Sequence, residues 1–216
     1  MGGVARALPG CLMWATAAAV AAATETPPPL AQTRAGMPQS PVIAVAPLGD
    51  VPTEAIDALL PLLREAFDRD VVLAPGLPLP PAAYDPLRRQ HLSTAFLDAL
   101  AGAKRPGWEL LLGVADVDLF VPRLNFVFGE GDPARGLAVF SLARLRPAHA
   151  GAGGDTLFRR RASTEAIHEL GHAYGLGHCG DPHCVMWFSN TVAESDRKGM
   201  RFCRAHAREL ARAQRR

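Results

Sequence analysis

Apolar side chains recur along the chain in two spacings, and together they predict alternating strands and helices in its first half. Val42 to Pro47 is a short β-branched and apolar run that predicts a strand. Large aliphatic and aromatic residues then recur at helical spacing over 56–67, which predicts an amphipathic helix that Pro61 should kink or divide. Val71 to Leu73 suits a second strand, whereas the five prolines of residues 75–86 predict a loop.

The second half begins with another helical pattern and then becomes rich in strands. Leu92, Phe96, Leu97 and Leu100 lie at helical spacing in a segment that should end near Gly102. Three apolar runs then predict strands, and the turn Gly129 to Asp132 separates the last two: Trp108 to Val114, Leu124 to Phe128 and Leu137 to Leu145. Because strands and helices alternate early and strands cluster before the final helices, we predict an α/β or α+β fold with a mixed sheet.

The first 41 residues lack this periodicity. The apolar run Cys11 to Ala23 follows Arg6 and ends in an Ala-x-Ala signal before Thr24, features of a secretory signal peptide. An alanine-rich leader that is never cleaved is the alternative. Residues 24–41 are rich in Pro, Thr, Gln and Ala, which predicts a linker. We therefore expect the folded domain at 42–216, in a secreted or periplasmic protein if 1–23 is cleaved and in a cytoplasmic one otherwise.

Composition narrows the class of protein further. A chain of 216 residues suits one domain with a substantial core. Its net charge of only +2 gives no nucleic-acid footprint, so we expect no nucleic acid among its partners. No apolar run reaches the roughly 20 residues needed to span a bilayer, which argues against an integral membrane protein. We expect a monomer.

Residues 168–178 read HELGHAYGLGH, a pattern typical of a catalytic zinc site. His168 and His172 lie one turn apart on one helix face, so both imidazoles can reach the same metal. Gly175 lets the chain reverse, which brings His178 back as a third ligand. Glu169, beside the first ligand, is the candidate general base. Chance would produce the full pattern in roughly a few of 10⁵ chains of this composition.

The ligand types indicate catalysis rather than structure. Structural zinc sites close all four positions with protein ligands, usually including cysteine, whereas three histidines leave one position open to water. Zinc lowers the pKa of bound water towards about 7 and polarises a carbonyl group. We therefore predict zinc-dependent hydrolysis of peptide bonds in a peptide or protein substrate. The alternative, from a different class, is a non-catalytic binding module that zinc stabilises.

A second set of ligands follows directly. Cys179, Cys184, Cys203 and His206 form two closely spaced pairs, which predict a structural zinc site and hence two zinc ions per chain. Two alternatives compete with this hypothesis: a Cys179–Cys184 disulfide that leaves Cys203 free, and a His206 that is only a polar residue on the solvated face of the last helix. His183 could replace His206 as a ligand, but it lies inside the short loop between the first two cysteines.

The run HELGHAYGLGHCGDPHCVM, at 168–186, resembles the archaemetzincins, a subfamily of the metzincin zinc peptidases. The stretches YDPLRRQHLST, LLGVADVDLF and LNFVFGEG, which begin at residues 84, 111 and 124, are similar to that family as well. The resemblance covers about Val42 to the C-terminus. The chain departs from the family pattern at His206, where the family has a cysteine, although histidine also binds zinc.

This resemblance implies a fold and two further features. The fold would be zincin-like, a compact mixed sheet flanked by three to four helices, with an edge strand along the cleft that pairs with an extended substrate. Asn125 to Gly129 is the candidate edge strand. Met186 would form a hydrophobic floor beneath the metal. The family also suggests trimming of N-terminal residues, although the sequence shows no clear acidic anchor for a free amino group.

Overall fold

A five-stranded mixed sheet with helices on both faces organises the fold, as the sequence predicted. The computed structural model describes residues 1–3, 41–147 and 153–215, so the predicted leader and nearly all of the linker lie outside the described residues. The strands are β1 (Val42–Leu48), β2 (Asp70–Leu73), β3 (Tyr84–Asp85), β4 (Gln90–Leu92), β5 (Trp108–Ala115), β6 (Leu119–Phe120), β7 (Gly129–Asp132) and β8 (Leu137–Ser141). The α-helices are α1 (Thr53–Phe67), α2 (Ser93–Ala103), α3 (Gly154–Ala173), α4 (Val192–Arg197) and α5 (Arg204–Ala213).

The main sheet has the strand order β2-β1-β5-β8-β7. Its first four strands are parallel, and β7 pairs antiparallel with β8 at one edge. Side chains alternate across the sheet, so Ile43 and Val45 pack in one core with α1 and α3, while Ala44 and Ala46 pack in a second core with α2. The three short strands β3, β4 and β6 form a separate small sheet. Residues Gln39–Arg216 form one compact unit.

Helix α1 buries the apolar stripe that the sequence predicts, including Ile56, Leu59, Leu63 and Phe67. The expectation that Pro61 divides this helix is wrong, because α1 is continuous across it. Pro61 lies on the exposed face of the helix. The backbone carbonyl that loses its hydrogen-bond donor there can be hydrated, which limits the destabilisation.

Two predictions for the stretch before β8 are wrong. Residues 124–128 do not form a strand, and Val127 contributes only an isolated bridge to Leu119. Gly129–Asp132, predicted as a turn, is instead strand β7. The apolar pattern of 124–128 has another cause, since Phe128 is buried in the core and Phe126 packs edge-on against it. The edge of the sheet is therefore β7 rather than Asn125 to Gly129.

The remaining differences between the predicted and the observed elements are small. The described residues contain five α-helices instead of three to four, because the six-residue α4 is an additional short helix that begins with a capping box at Thr191 and Glu194. The loop at 75–86 includes a short 3₁₀ helix and β3, and β8 ends at Ser141. Among the residues described, no helix combines the length and the apolar character that crossing a bilayer requires.

Candidate active site

A cleft of about 750 Å³ lies between helix α3 and the edge strand β7. The histidines His168, His172 and His178 and the carboxylate of Glu169 all line it. Helix α3 presents the first two histidines on one face, and the chain then reverses at Gly175, whose φ of 85° is in the left-handed region that favours glycine. That reversal returns His178 to the cleft, as the sequence predicted.

The three imidazoles converge on one point. Nε2 of His172 lies 3.1 Å from Nε2 of His168 and 3.2 Å from Nε2 of His178. The opposite nitrogens are held by the backbone, because Nδ1 of His168 lies 2.7 Å from the carbonyl of Val185 and Nδ1 of His172 lies 2.8 Å from the carbonyl of Leu176. When these Nδ1 atoms donate, the Nε2 lone pairs point at the shared centre. This donor set suits a zinc ion.

Burial keeps the imidazoles neutral, which metal binding requires. It lowers the pKa of His168 well below the ordinary value for histidine and also lowers the pKa of His172. His178 is the exposed member of the triad, and its partial desolvation together with the neighbouring His172 lowers its pKa to about 4. At neutral pH, a metal cation therefore has no proton to displace from Nε2 of rings whose Nδ1 carries the single N–H.

Glu169 lies deep beside the triad, with only 4% of its surface exposed. Burial raises its pKa well above the ordinary value for a glutamate, the Glu165 carboxylate adds to the rise, and the Lys198 ammonium opposes it. A bound divalent cation would also favour the ionised form. Glu169 is therefore a carboxyl group whose charge depends on the neighbouring Glu165, Lys198 and any bound cation.

Two glycines of β7 allow the edge strand to approach α3 closely, and sequence reasoning missed them. A Cβ atom at Gly129 would lie 2.5 Å from Cγ of Glu169, and one at Gly131 would lie 2.5 Å from Cβ of His172. Any larger residue would push the strand away from the helix that bears the triad. The sequence did contain a signal for this close approach. In Gly129-Glu130-Gly131 the two glycines are two positions apart, which puts both on one face of a strand.

We expect Gly131→Ala to lower both stability and metal affinity. The new methyl group would also lie 2.9 Å from the carbonyl oxygen of Glu169, a backbone atom that cannot move alone. Overpacking of this kind costs about 1–3 kcal/mol, which corresponds to a melting temperature roughly 2–12 °C lower. Thermal unfolding and zinc titration would measure both effects. Gly102→Ala is the matched control, since it adds the same atom to open space on α2 and should lower neither quantity.

Met186 is fully buried under the active-site helix. Its side chain is packed so tightly against Gly171 that a Cβ there would overlap the Met186 sulfur. Gly171 lies in the turn of α3 between the two histidine ligands, and Val185, which precedes the methionine, supplies the carbonyl that orients His168. The hydrophobic floor beneath the metal, which the resemblance implies for Met186, stays a prediction.

The second predicted cluster also assembles. The ligand atoms of Cys179, Cys184, Cys203 and His206 all lie within 4.8 Å of one another. His206 Nδ1 is 3.3 Å from the Cys203 sulfur and 3.9 Å from the Cys184 sulfur. On its far side, His206 Nε2 is 3.2 Å from the carbonyl of Gly177, which orients the ring. Four N and S donors in this arrangement fit a closed tetrahedral zinc site.

The alternatives to a metal at this cluster find no counterpart in the structure. The described cysteines Cys179, Cys184 and Cys203 are all free thiols, so the disulfide is not formed among them. His206 is buried, with 8% exposure, and does not lie on the solvated face of α5. His183 is exposed. Hydrogen bonds from the backbone and ring of His206 lower the pKa of Cys203 to about 6, which favours the thiolate that binds metal.

Four more charged residues line the cleft without any sequence signal: Arg123, Glu130, Glu165 and Lys198. Lys198 and Glu165 form an ion pair of 3.2 Å, and each side chain is only 1% exposed. Glu130, on β7, accepts hydrogen bonds from Ser93 at 2.5 Å and Thr94 at 3.2 Å, at the start of α2. The sequence could not identify the last three of these residues, because their partners lie 33 to 37 positions away.

Comparisons with known proteins point to one family. Peptidase family M54 matches residues 92–212. The chain is 39% identical to the archaemetzincin of Pyrococcus furiosus over 78% of this chain and 92% of that protein, and 38% identical to that of Methanocaldococcus jannaschii with the same coverage. The crystal structure of archaemetzincin from Methanopyrus kandleri superimposes with a TM-score of 0.73 at 36% identity, covering 82% of this chain and 96% of that one. The Archaeoglobus fulgidus archaemetzincin, complexed with malonate, gives 0.68 at 36% identity over 78% and 99%.

Proposed function

This chain belongs to Peptidase family M54, the archaemetzincins, and we propose that it hydrolyses peptide bonds with zinc on His168, His172 and His178 and with Glu169 as general base. The family makes the chain a zinc metallopeptidase, a hydrolase that acts on a peptide or protein. The observation that carries the assignment of residues is the convergence of three Nε2 atoms beside a buried carboxylate. A non-catalytic zinc module would have no use for that carboxylate.

The chain's own residues supply binding, orientation and proton transfer. When bound, zinc would polarise the scissile carbonyl and lower the pKa of a water molecule to about 7. Glu169 would take a proton from that water and deliver it to the leaving amine. The backbone carbonyls of Val185 and Leu176 would keep the two helix-borne imidazoles oriented throughout. The free edge of β7 would pair with the backbone of an extended substrate.

Glu130 favours a narrower proposal, in which the protein is an aminopeptidase that removes N-terminal residues. Glu130 lines the cleft, and its carboxylate is near enough to Glu169 to raise the pKa of that residue. Among the described side chains, only hydroxyl groups contact it, and no cation pairs with it. A half-buried carboxylate without a cationic partner suits the ammonium group at the N-terminus of a peptide. It is the acidic anchor that the sequence did not reveal.

We expect zinc-loaded protein to cleave a peptide with a free N-terminus at least about tenfold faster than its N-acetylated form, since acetylation removes one charge-assisted contact. Chelation should stop cleavage, and added zinc should restore it. Glu130→Gln should bring the two rates together, whereas Glu54→Gln, an exposed substitution on α1, should not. Mass spectrometry of the products gives rates and cleavage positions. Equal cleavage of both forms by the unmodified chain would defeat the aminopeptidase version only.

A further inference from the structure

The Lys198–Glu165 ion pair lies in the wall of the cleft. Both Glu165 oxygens accept from the Lys198 ammonium, at 3.2 and 3.3 Å, and Ser195 adds a hydroxyl hydrogen bond of 2.6 Å to Glu165. Both charged residues line the cleft, although each side chain is only 1% exposed. A buried ion pair contributes little to stability compared with apolar residues of the same volume. Stability therefore does not explain why charges lie at this position.

The Lys198 ammonium has more N–H groups than Glu165 can pair with. A lysine ammonium has three N–H groups, and Glu165 takes two of them at rather long distances. Within the described part of the chain, no other group accepts from Lys198. One N–H of a desolvated ammonium is left without a protein partner at the wall of the cleft, where an acceptor from a ligand can meet it.

The backbone around Lys198 is held rigidly against α3. Arg160 donates to the carbonyl of Asp196 at 2.8 Å and to the carbonyl of Lys198 at 2.9 Å. Arg161 makes a bidentate ion pair with Asp196, at 2.6 Å for each bond. Together with Glu165, these two arginines of α3 bind the segment that carries Lys198. The ammonium is positioned in advance, as a selective binding site requires.

The relative direction of α3 and β7 decides which part of a substrate would lie near Lys198. Gly129 of β7 lies against Glu169 and Gly131 lies against His172, so the two elements run in the same direction. A substrate paired antiparallel to β7 would then run from His172 towards Glu165. Its residues after the scissile bond would approach Lys198. Glu165 lies four positions before Glu169, about 6 Å along the helix axis, which is within reach of the first of those side chains.

We propose that Lys198, held by Glu165, forms the floor of a specificity subsite for the residue after the scissile bond, and that it selects a side chain ending in a carboxylate or carboxamide oxygen. This inference rests on the proposed peptidase function. Ser189, in the same cleft, has a buried hydroxyl with no partner among the described residues and can add a second hydrogen bond. Lys198 acts here by binding the substrate and takes no part in the proton transfer.

The test compares three peptides that differ only in Leu, Asn or Asp after the scissile bond, side chains of similar size. Dissociation constants are measured by calorimetry on zinc-loaded Glu169→Ala protein, which does not consume the peptide. We expect the Asn or the Asp peptide, or both, to bind about tenfold more tightly than the Leu peptide, the ratio for one hydrogen bond to a charged donor. Comparison of the Asn peptide with the Asp peptide shows whether the subsite requires a negative charge on the substrate side chain.

The decisive variant is Lys198→Met with Glu165→Gln, because it removes both charges and leaves no uncompensated carboxylate. It should remove the preference for Asn and Asp and favour Leu. Lys104→Met is the control: among the residues described, this lysine bonds only the backbone carbonyls of Glu109, Arg135 and Gly136, and its loss should leave the preference unchanged. Preferential binding of the Leu peptide to protein with Lys198, or an unaltered preference in the double variant, would overturn the subsite. If the preference holds but the unmodified chain cleaves no peptide, the subsite stands and the proposed function fails.

Discussion

Replacement of Glu169 by alanine is expected to leave zinc bound and to remove nearly all hydrolysis of peptides. The three imidazoles that would hold the metal lie on other residues, and their orientation comes from the backbone carbonyls of Val185 and Leu176. Only the proton acceptor is lost, and general base catalysis contributes about 10²–10⁴-fold to a rate. We therefore expect kcat/KM to fall by about that factor, with zinc content by mass spectrometry unchanged.

Glu169→Gln sharpens the same test. This side chain has the same shape, so it preserves the contact with Gly129, but it cannot take a proton at neutral pH. It should be as inactive as Glu169→Ala. Glu54→Ala, on the exposed face of α1, is the control for removal of a carboxylate and should keep full activity. Full turnover in either Glu169 variant would refute the role of this residue as the base.

The second large effect is expected at the cysteine cluster. We expect two zinc ions per unmodified chain, one for each group of converging ligands, and one ion after Cys203→Ala. Cys203 is the N-cap residue directly before α5, and Cys179 directly follows His178, so this site connects the last helix to the active site. Structural zinc contributes about 10–16 kcal/mol of apparent binding energy in small domains. Loss of one ligand should therefore lower the melting temperature by about 10 °C or more.

Two variants give this test its controls. His168→Ala should also reduce the zinc content to one ion per chain but leave the melting temperature closer to that of the unmodified protein, because the cysteine cluster remains. His206→Cys replaces one zinc ligand with another and should keep two ions. A Cys203→Ala protein that still holds two zinc ions at the original melting temperature would refute the structural site.

The local part of the active site could be predicted from the sequence because helix geometry is local. His168 and His172 lie four positions apart, and the glycine needed to return His178 is only three residues further on. The same holds for α1, α2 and β5, whose apolar spacing matches the elements observed. In each case, the physical requirement involves residues close together in the chain.

The edge strand could not be predicted by the same means. Residues 124–128 are apolar because Phe126 and Phe128 fill a core, whereas β7 reads Gly-Glu-Gly-Asp, a poor strand by propensity. It is a strand because β8 pairs with it and because α3 passes so close that only glycine fits at 129 and 131. Tertiary packing overrides local preference here.

By itself, the sequence determined the family and named the candidate ligands of both zinc sites and the candidate general base, since each depends on residue types at short, fixed spacings. The tertiary structure alone decided how the cleft is shaped and charged. The contacts of Glu165 with Lys198 and of Glu130 with Ser93 join residues 33 and 37 positions apart. No periodic pattern encodes such contacts, because they form only when sheet and helices pack together. The substrate preferences we propose depend on these contacts.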